Sequence, residues 1–445
     1  MGKLFGTDGV RGVYGEELTR ELAYELGRYG THVLSEGNHN PKIVIGKDTR
    51  ISGDPLEEAL TEGIVSVGGE VISVGVIPTP AVAVIARELR ADAGIVISAS
   101  HNPYQFNGIK FFNGEGYKLP DALEEEIENH IFAKTPLDDR TDGKVRVLEA
   151  PGKIYTDHIL KGFDQVSLAG MKVVMDCANG ASYAIAPDFF RGLGAEVLVM
   201  GNTPDGENIN RGCGSTCLEG LCETVVKEKA DVGIAFDGDA DRCLAVDCQG
   251  KIIDGDCILN LIGRDMKRRG VLKKDTVVAT VMSNIGLDMA LNEVGCKTVK
   301  TAVGDRYVLE EMLKSGYNIG GEQSGHLILL DHNTTGDGML TALALLSFIK
   351  RDGRTTAELS ALMTSYPQIL VNAKVSNDKK NAYLDDPVIQ KEIAAVEDHF
   401  QGQGRVLIRP SGTEPLVRVM IEGKDQAELE KIAKDLADLI EKRLG

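Results

Sequence analysis

This chain repeats itself, and the repeat limits what it can fold into. Lys42-Ile-Val-Ile is followed by Gly68-Gly-Glu-Val-Ile-Ser-Val-Gly75-x-x-Pro78, which leads into Ala91-Asp92-Ala-Gly94-Ile95. Lys172-Val-Val-Met is followed by Gly194-Ala-Glu-Val-Leu-Val-Met-Gly201-x-x-Pro204, which leads into Ala230-Asp231-Val-Gly233-Ile234. The same elements recur in the same order with different loop lengths, as a duplicated α/β unit would. A weaker third copy runs through Thr276-Val-Val-Ala, Gly295-Cys-Lys-Thr-Val-Lys and Tyr317-Asn-Ile-Gly-Gly. Helical patterns at 287–294 and 308–313 separate its apolar runs. Strand and helix therefore alternate, which predicts an α/β fold with mostly parallel or mixed sheets. After about Ser365 the pattern changes to two strands, Arg405-Val-Leu-Ile and Leu416-Val-Arg-Val-Met-Ile, and a closing amphipathic helix with Leu429, Ile432, Ala433, Leu436 and Ile440 on one face. Residues 376–386 read as an exposed excursion within this smaller α+β domain. We place the domains at 1–152, 153–252, 253–365 and 366–445.

Aligning the copies puts three polar loops at equivalent strand ends. They are Ser98-Ala-Ser100-His101-Asn102, Asp237-Gly-Asp239-Ala-Asp241-Arg242 and Glu322-Gln-Ser324-Gly-His326. Open α/β sheets bind ligands at the carboxyl ends of their strands, so three aligned polar loops point to one shared site.

In the first loop, the buried run Gly94-Ile95-Val96-Ile97 breaks at small polar residues, and Pro103 fixes the turn that follows. Ser100, beside His101 and ahead of Lys110, is placed as a nucleophile would be; an ordinary polar turn is the alternative. The second loop alternates Asp237, Asp239 and Asp241, so three carboxylates can converge on one hard divalent cation, with Mg²⁺ the natural candidate. An EF-hand is excluded because Arg242 stands at the glycine position and Cys248 at the twelfth. An aspartyl-phosphatase D-x-D-x-T loop is a closer rival, but Asp241 occupies the threonine position.

In the last domain Arg409, Ser411, Gly412 and Thr413, with Arg418 nearby, offer guanidinium forks, hydroxyls and free amides, the groups that hold a phosphate dianion. Two early glycine-flanked stretches, Gly6-Thr-Asp-Gly-Val-Arg11-Gly12 and Gly46-Lys47-Asp48-Thr49-Arg50, could add positive charge to the same cleft.

Composition excludes more than it assigns. The chain carries 49 Lys+Arg against 67 Asp+Glu, a net charge of -18, which argues against a nucleic-acid footprint. Its longest nearly apolar run, 339–349, is too short to span a bilayer and reads as a core helix. The first residues have no apolar stretch of signal-peptide length, so the cytosol is the default compartment. The 8 cysteines are expected to be reduced thiols. Cys213, Cys217 and Cys222 cluster without a common zinc spacing.

Taken together, the four loops resemble those of the α-D-phosphohexomutases over essentially the whole chain. The resemblance implies three related α/β domains and a smaller fourth around a central cleft. It also implies a phosphorylated Ser100, and one Mg²⁺ held by Asp237, Asp239 and Asp241 with the Ser100 phosphate. Arg11, His101 and Lys110 match positions beside the transferring phosphoryl group. Glu322 and Ser324 match sugar-hydroxyl contacts, with His326 a further acid/base or substrate contact. Arg409, Ser411, Gly412, Thr413 and Arg418 match a clamp for the distal phosphate.

FGTDGVRG at the start, ISASHNP, GDRYV at 304–308, GEQSGH and NTTGDG at 333–338 favour the branch of the family that acts on glucosamine. Cys217, where many relatives have histidine, is a departure. The implied reaction interconverts glucosamine 6-phosphate and glucosamine 1-phosphate through a 1,6-bisphosphate, ahead of UDP-N-acetylglucosamine and cell-wall precursor synthesis. Phosphomannomutase/phosphoglucomutase is the alternative within the same superfamily. Glucose or glucosamine 1,6-bisphosphate would be the activator, hexosamine phosphates the small-molecule partners, and a homodimer the expected assembly, with neither nucleic acid nor membrane as partner. Selection at carbon 2 falls to Ser98 or the Gly304-Asp305-Arg306 turn.

Overall fold

The structure is a computed structural model and describes residues 4–6, 8–35, 40–163, 165–411 and 414–445. Its contacts divide it into two compact units, Met1–Thr280 with Thr298–Leu362, and Val281–Lys297 with Met363–Gly445.

The first unit contains three sheets of related build. In the first, β1 (Val10–Val13), β2 (Lys42–Lys47), β3 (Glu70–Val76), β4 (Ala93–Ile97), β5 (Phe106–Asn113) and β6 (Lys144–Val147) lie in the order β1-β5-β4-β2-β3-β6. In the second, β7 (Lys172–Asp176), β8 (Glu196–Met200), β9 (Val232–Phe236), β10 (Cys243–Asp247) and β11 (Ile252–Ile253) lie in the order β11-β10-β9-β7-β8. In the third, β12 (Thr276–Thr280), β13 (Lys297–Thr301), β14 (Ile319–Gly321) and β15 (Leu327–Leu329) lie in the order β13-β12-β14-β15. The parallel pairs β2–β4, β7–β9 and β12–β14 correspond, and each is followed by an antiparallel return, β4–β5, β9–β10 and β14–β15. Each of the three polar loops is the turn of one of these returns. The repeat in sequence is thus a repeat in topology.

Strands β4 and β9 are buried at every position, which matches their continuous apolar runs. Their turns begin where the apolar run ends, so buried backbone hydrogen bonding holds each loop's base in register. The apolar helix Gly338–Asp352 is buried along its length, from Gly338 through Ile349, and is capped by the side chain of Asp337 on the Leu340 amide. Among the described residues no helix is long and apolar enough to cross a membrane.

The second unit is built on β16 (Gln368–Lys374), β17 (Arg405–Pro410) and β18 (Leu416–Glu422), antiparallel in the order β16-β18-β17. The closing helix Gln426–Leu444 buries Leu429, Ala433, Leu436 and Ile440, the stripe its periodicity predicts. Helix Ile285–Asn292, which the sequence repeat assigns to the third copy, packs in this unit. Buried Glu422 receives the Ile285 amide and Arg405, and Arg405 also donates to the Val281 and Ser283 carbonyls. Residues 376–386 are largely exposed, but Tyr383 is buried and donates to the Ile408 carbonyl, and Lys380 donates to the Ser411 carbonyl.

Candidate active site

Ser100 follows β4 on a loop the chain has to force into shape. Its φ is 52°, in the left-handed region that a serine adopts only under constraint. The constraint is visible. The Ser98 hydroxyl accepts the Ser100 amide at 2.9 Å, while Arg50 at 3.2 Å and Asn210 at 2.9 Å both donate to the Ser100 carbonyl. Arg50 and Asn210 also hold the Asn102 carbonyl. A side chain at Gly238 would place its Cβ 2.5 Å from the Ser100 carbonyl oxygen, so only glycine lets the second-sheet loop come this close.

This close approach brings nucleophile and carboxylates together. The Ser100 hydroxyl donates to Asp237 Oδ2 at 2.5 Å and lies 3.4 Å from His101 Nδ1. Asp237, Asp239 and Asp241 are all buried, and one oxygen from each lies within 4.8 Å of the others. Among the described residues this is the group of three or more such side chains able to share one ion.

Asp237 accepts from Ser100 and from the Arg242 amide, but the other two carboxylates are only half hydrogen-bonded. Asp239 Oδ2 accepts from the Thr79 hydroxyl at 2.7 Å and from Lys110 Nζ at 2.9 Å, whereas its buried Oδ1 has no hydrogen-bond partner. Asp241 Oδ2 lies 3.5 Å from His326 Nδ1, and its Oδ1 too has no hydrogen-bond partner. Buried anionic oxygens without donors are costly unless a cation takes them. The residues fit a hard divalent ion.

The electrostatics agree. Burial and then the neighbouring Asp241 and Asp239 push the Asp237 carboxyl well above the usual range. Burial would raise Asp239 as well, but Lys110 and Thr79 hold it below the usual range. Lys110 is raised because Asp239 and Asp8 outweigh its burial. Asp8 ties this group to the first strand: it takes Lys110 at 3.0 Å, Lys118 at 2.6 Å and Arg11. Arg11 keeps a buried Nε without a partner, a donor free for an anion. Burial, then Arg242 and Arg11, lower the His101 pKa, so its ring is neutral near pH 7.

The third loop stands beside the second. Glu322 Oε1 accepts the Gly304 amide at 3.2 Å, and the Ser324 hydroxyl is buried without a partner. His326 is 4 % exposed and lies 3.4 Å from Asp305; burial would lower its pKa, but Asp241 and Asp305 hold it up at about 9.

In the second unit Arg409 and Arg418 are register partners across β17 and β18. Burial and then Arg418 lower the Arg409 pKa, and Arg409 Nε is buried without a partner. Ser411 is buried, its hydroxyl accepting the Glu414 amide. Gly412 and Thr413 lie outside the described residues, as does Thr7 of the first glycine-flanked stretch.

Two expectations fail. Ser98 does not face a substrate: it is fully buried, with its hydroxyl donating to Asp48 and accepting from the Ser100 amide. Nor do Lys47 and Arg50 bring free charge to the site. Lys47 pairs with Asp54 and Glu57, and Arg50 is buried against Asp48 and the serine loop. The three cysteines 213, 217 and 222 are free thiols, and Cys217 donates to Glu219.

Thr79 is a site residue the sequence analysis passed over, although it directly follows the repeated Gly-x-x-Pro element. It starts helix Thr79–Glu88, its amide donates to the Asp239 carbonyl, and its hydroxyl orients that residue's carboxylate. Thr79→Val is expected to lose about 1.5–3 kcal/mol of orientation at Asp239, about ten- to a hundredfold in kcat/KM. Thr79→Ser should retain activity, and kinetics of the two variants side by side check the claim.

A serine held against a buried aspartate triad, on the loops of two repeated α/β sheets, fits the phosphohexomutase class. Four family models match in order: phosphoglucomutase/phosphomannomutase alpha/beta/alpha domain I at residues 2–138, domain II at 153–250, domain III at 254–366 and the C-terminal domain at 370–439. The phosphoglucosamine mutases of Alkaliphilus metalliredigens and Clostridium acetobutylicum are 57% and 56% identical to this chain, each aligned over the whole of both sequences. The chain belongs to the phosphoglucosamine mutase family. A phosphoglucomutase/phosphomannomutase family protein from Burkholderia thailandensis superposes with a TM-score of 0.82 at 25% identity, covering 99% of this chain and 97% of that one. The Aspergillus fumigatus N-acetylphosphoglucosamine mutase, solved with GlcNAc-6P and magnesium, has the same fold at a TM-score of 0.68 and 17% identity, covering 99% and 96%.

Proposed function

We propose that this isomerase interconverts glucosamine 6-phosphate and glucosamine 1-phosphate by passing a phosphoryl group through Ser100. The observation that carries the reading is the serine hydroxyl 2.5 Å from a buried aspartate whose two neighbours each hold an oxygen without a hydrogen-bond partner. In the first half-reaction the sugar's O1 attacks the phosphorus on Ser100. The P–Oγ bond breaks as the P–O1 bond forms, and the O1 proton is taken up at the site. The 1,6-bisphosphate then turns over, and Ser100 Oγ attacks the other phosphorus, returning a proton to O6. Atoms balance without water, so no inorganic phosphate is released.

The chain's own groups do most of this by placement. Arg50 and Asn210 fix the serine backbone, and Lys110 and Arg11 bring positive charge beside it. Phosphorylating Ser100 removes the hydrogen it gives to Asp237 and frees that oxygen too. Asp237, Asp239 and Asp241 would hold Mg²⁺, which when bound withdraws charge from the phosphoryl group and makes Ser100 Oγ a better leaving group. His101, neutral and 3.4 Å from the hydroxyl, can relay the proton.

Glu322 and Ser324 fit ring hydroxyls as acceptor and donor, with His326 behind them. Arg409, Ser411 and Arg418, with Gly412 and Thr413, would grip the phosphate that is not reacting. Two adjacent guanidiniums without a full complement of acceptors favour a dianion. Arg409→Ala is expected to raise KM for either hexosamine phosphate about ten- to a hundredfold, as the loss of a charge-assisted fork would. Steady-state kinetics check it, and an unchanged KM would remove the clamp from the account. The overall reading is tested by ³¹P NMR with glucosamine 6-phosphate. Glucosamine 1-phosphate should appear without inorganic phosphate; free phosphate would mark a phosphatase.

A further inference from the structure

The GDRYV stretch at 304–308 distinguishes this chain in sequence, yet none of its side chains is needed by the reaction above. In the structure Asp305 lies 3.4 Å from His326, and three further contacts tie the stretch to the first sheet's segment and to Glu322. The Gly304 amide donates to Glu322 Oε1 at 3.2 Å. Asp305 pairs with Lys118 at 2.5 Å, and Arg306 pairs with Asp121. Lys118 and Asp121 belong to the segment that follows β5 of the first sheet and opens helix Asp121–Ala133. Gly304 and Asp305 cap and open helix Asp305–Ser315 beside the third sheet. Two ion pairs of opposite polarity therefore cross one seam: cation to anion at 118–305, anion to cation at 121–306.

Packing does not fix that seam. A cavity of about 410 Å³ lies along it, with Lys118 and Pro120 on one side and Asp305, Arg306 and Leu309 on the other. A turn beside such a void is held by its polar contacts more than by its neighbours' shape. Lys118 is strongly committed to them: Asp305 and Asp8 outweigh its burial and raise its pKa. Arg306 is less buried and is also held by Glu310 at 2.8 Å on its own helix.

We propose that Lys118–Asp305 and Asp121–Arg306 form a clamp whose function is to hold the Gly304 amide on Glu322, making these four side chains positioning residues for the sugar-binding carboxylate. The proposal rests on the reading of Glu322 as a sugar contact. It assigns the GDRYV turn to orienting the substrate ring, with no contact of its own to the amino group.

The exposed pair gives the test. Arg306→Glu should raise KM about five- to tenfold for glucosamine and glucose phosphates alike, with kcat within about twofold of the parent. Asp121→Arg in that background should return KM to within about twofold, because it restores the pair with its polarity reversed. A purely structural role would lower the melting temperature without the rise in KM at unchanged kcat. Hydrogen exchange of the 304–310 segment, read by mass spectrometry without substrate, should rise about fivefold or more in the single variant and return in the double. Failure of the double variant to restore both KM and exchange would overturn the clamp, as would a loss confined to the amino sugar. The exchange result stands whether or not the wild-type chain turns over glucosamine phosphates, so the clamp and the proposed function fail separately. Should Arg306→Glu not fold, Lys118→Met is expected to give the same rise in KM and exchange, and wild-type values in it would equally overturn the proposal.

Discussion

Ser100→Ala is expected to fold as the parent does and to lose on the order of 10³-fold or more in kcat, about 4 kcal/mol of barrier. The residue is small and its side chain makes no apolar contact that alanine lacks. Its φ of 52° is as strained for alanine as for serine, and the Ser98, Arg50 and Asn210 contacts that hold it are to backbone atoms. Stability should therefore stay close to the parent's. The hydroxyl, by contrast, is irreplaceable if it carries the phosphoryl group, since among the described residues no other hydroxyl donates to Asp237. Thermal melts and kcat measured on the same preparation separate the two effects. Wild-type kcat in the folded variant would remove Ser100 from the chemistry.

Asp239→Asn should be almost as damaging, for a different reason. Asp239 is buried, and its Oδ2 balances Lys110 at 2.9 Å while its Oδ1 has no partner. Replacing it with the neutral amide removes one charge from a site defined by charge and leaves Lys110 relying on Asp8. We expect divalent-ion affinity to fall about a hundredfold or more, as removal of a charged ligand at a hard-cation site implies, with kcat/KM falling in step. Calorimetric titration of Mg²⁺ into the variant without substrate checks the binding, and assays across Mg²⁺ concentrations check the link to activity. Unchanged Mg²⁺ dependence would mean that the carboxylates serve something else.

The parts of this molecule legible in its sequence were those repeated in it. The A-D-x-G-I elements marked β4 and β9, and the polar residues after them marked the loops that the structure brings together at Ser100 and Asp237. The apolar stripe of the closing helix was equally plain. What stayed hidden was pairing across long stretches of chain. Thr79 reaches Asp239, Asn210 reaches Ser100 and Lys118 reaches Asp305 only after the sheets have formed, and nothing local to those residues announces the partner.

The misread residues share one cause. Lys47, Arg50 and Ser98 stand where charged and polar residues serve a substrate in many loops, but each is consumed by a neighbour, Asp54 and Glu57 for Lys47 and Asp48 for the other two. A basic or hydroxyl residue counts toward a site only by what is left over after its neighbours are satisfied. Arg50 has both terminal nitrogens taken by Asp48 and the serine-loop carbonyls in a fully buried side chain, whereas Arg11 stays partly exposed, and sequence cannot distinguish the two.

The covalent role of Ser100 is tested most directly by mass spectrometry of the peptide containing it, taken from enzyme quenched during turnover of glucosamine 6-phosphate. The account predicts one phosphoryl group on Ser100 in a substantial fraction of the molecules, gone in Ser100→Ala. Turnover with Ser100 unmodified throughout, or with the phosphoryl group found on Asp237, would contradict it.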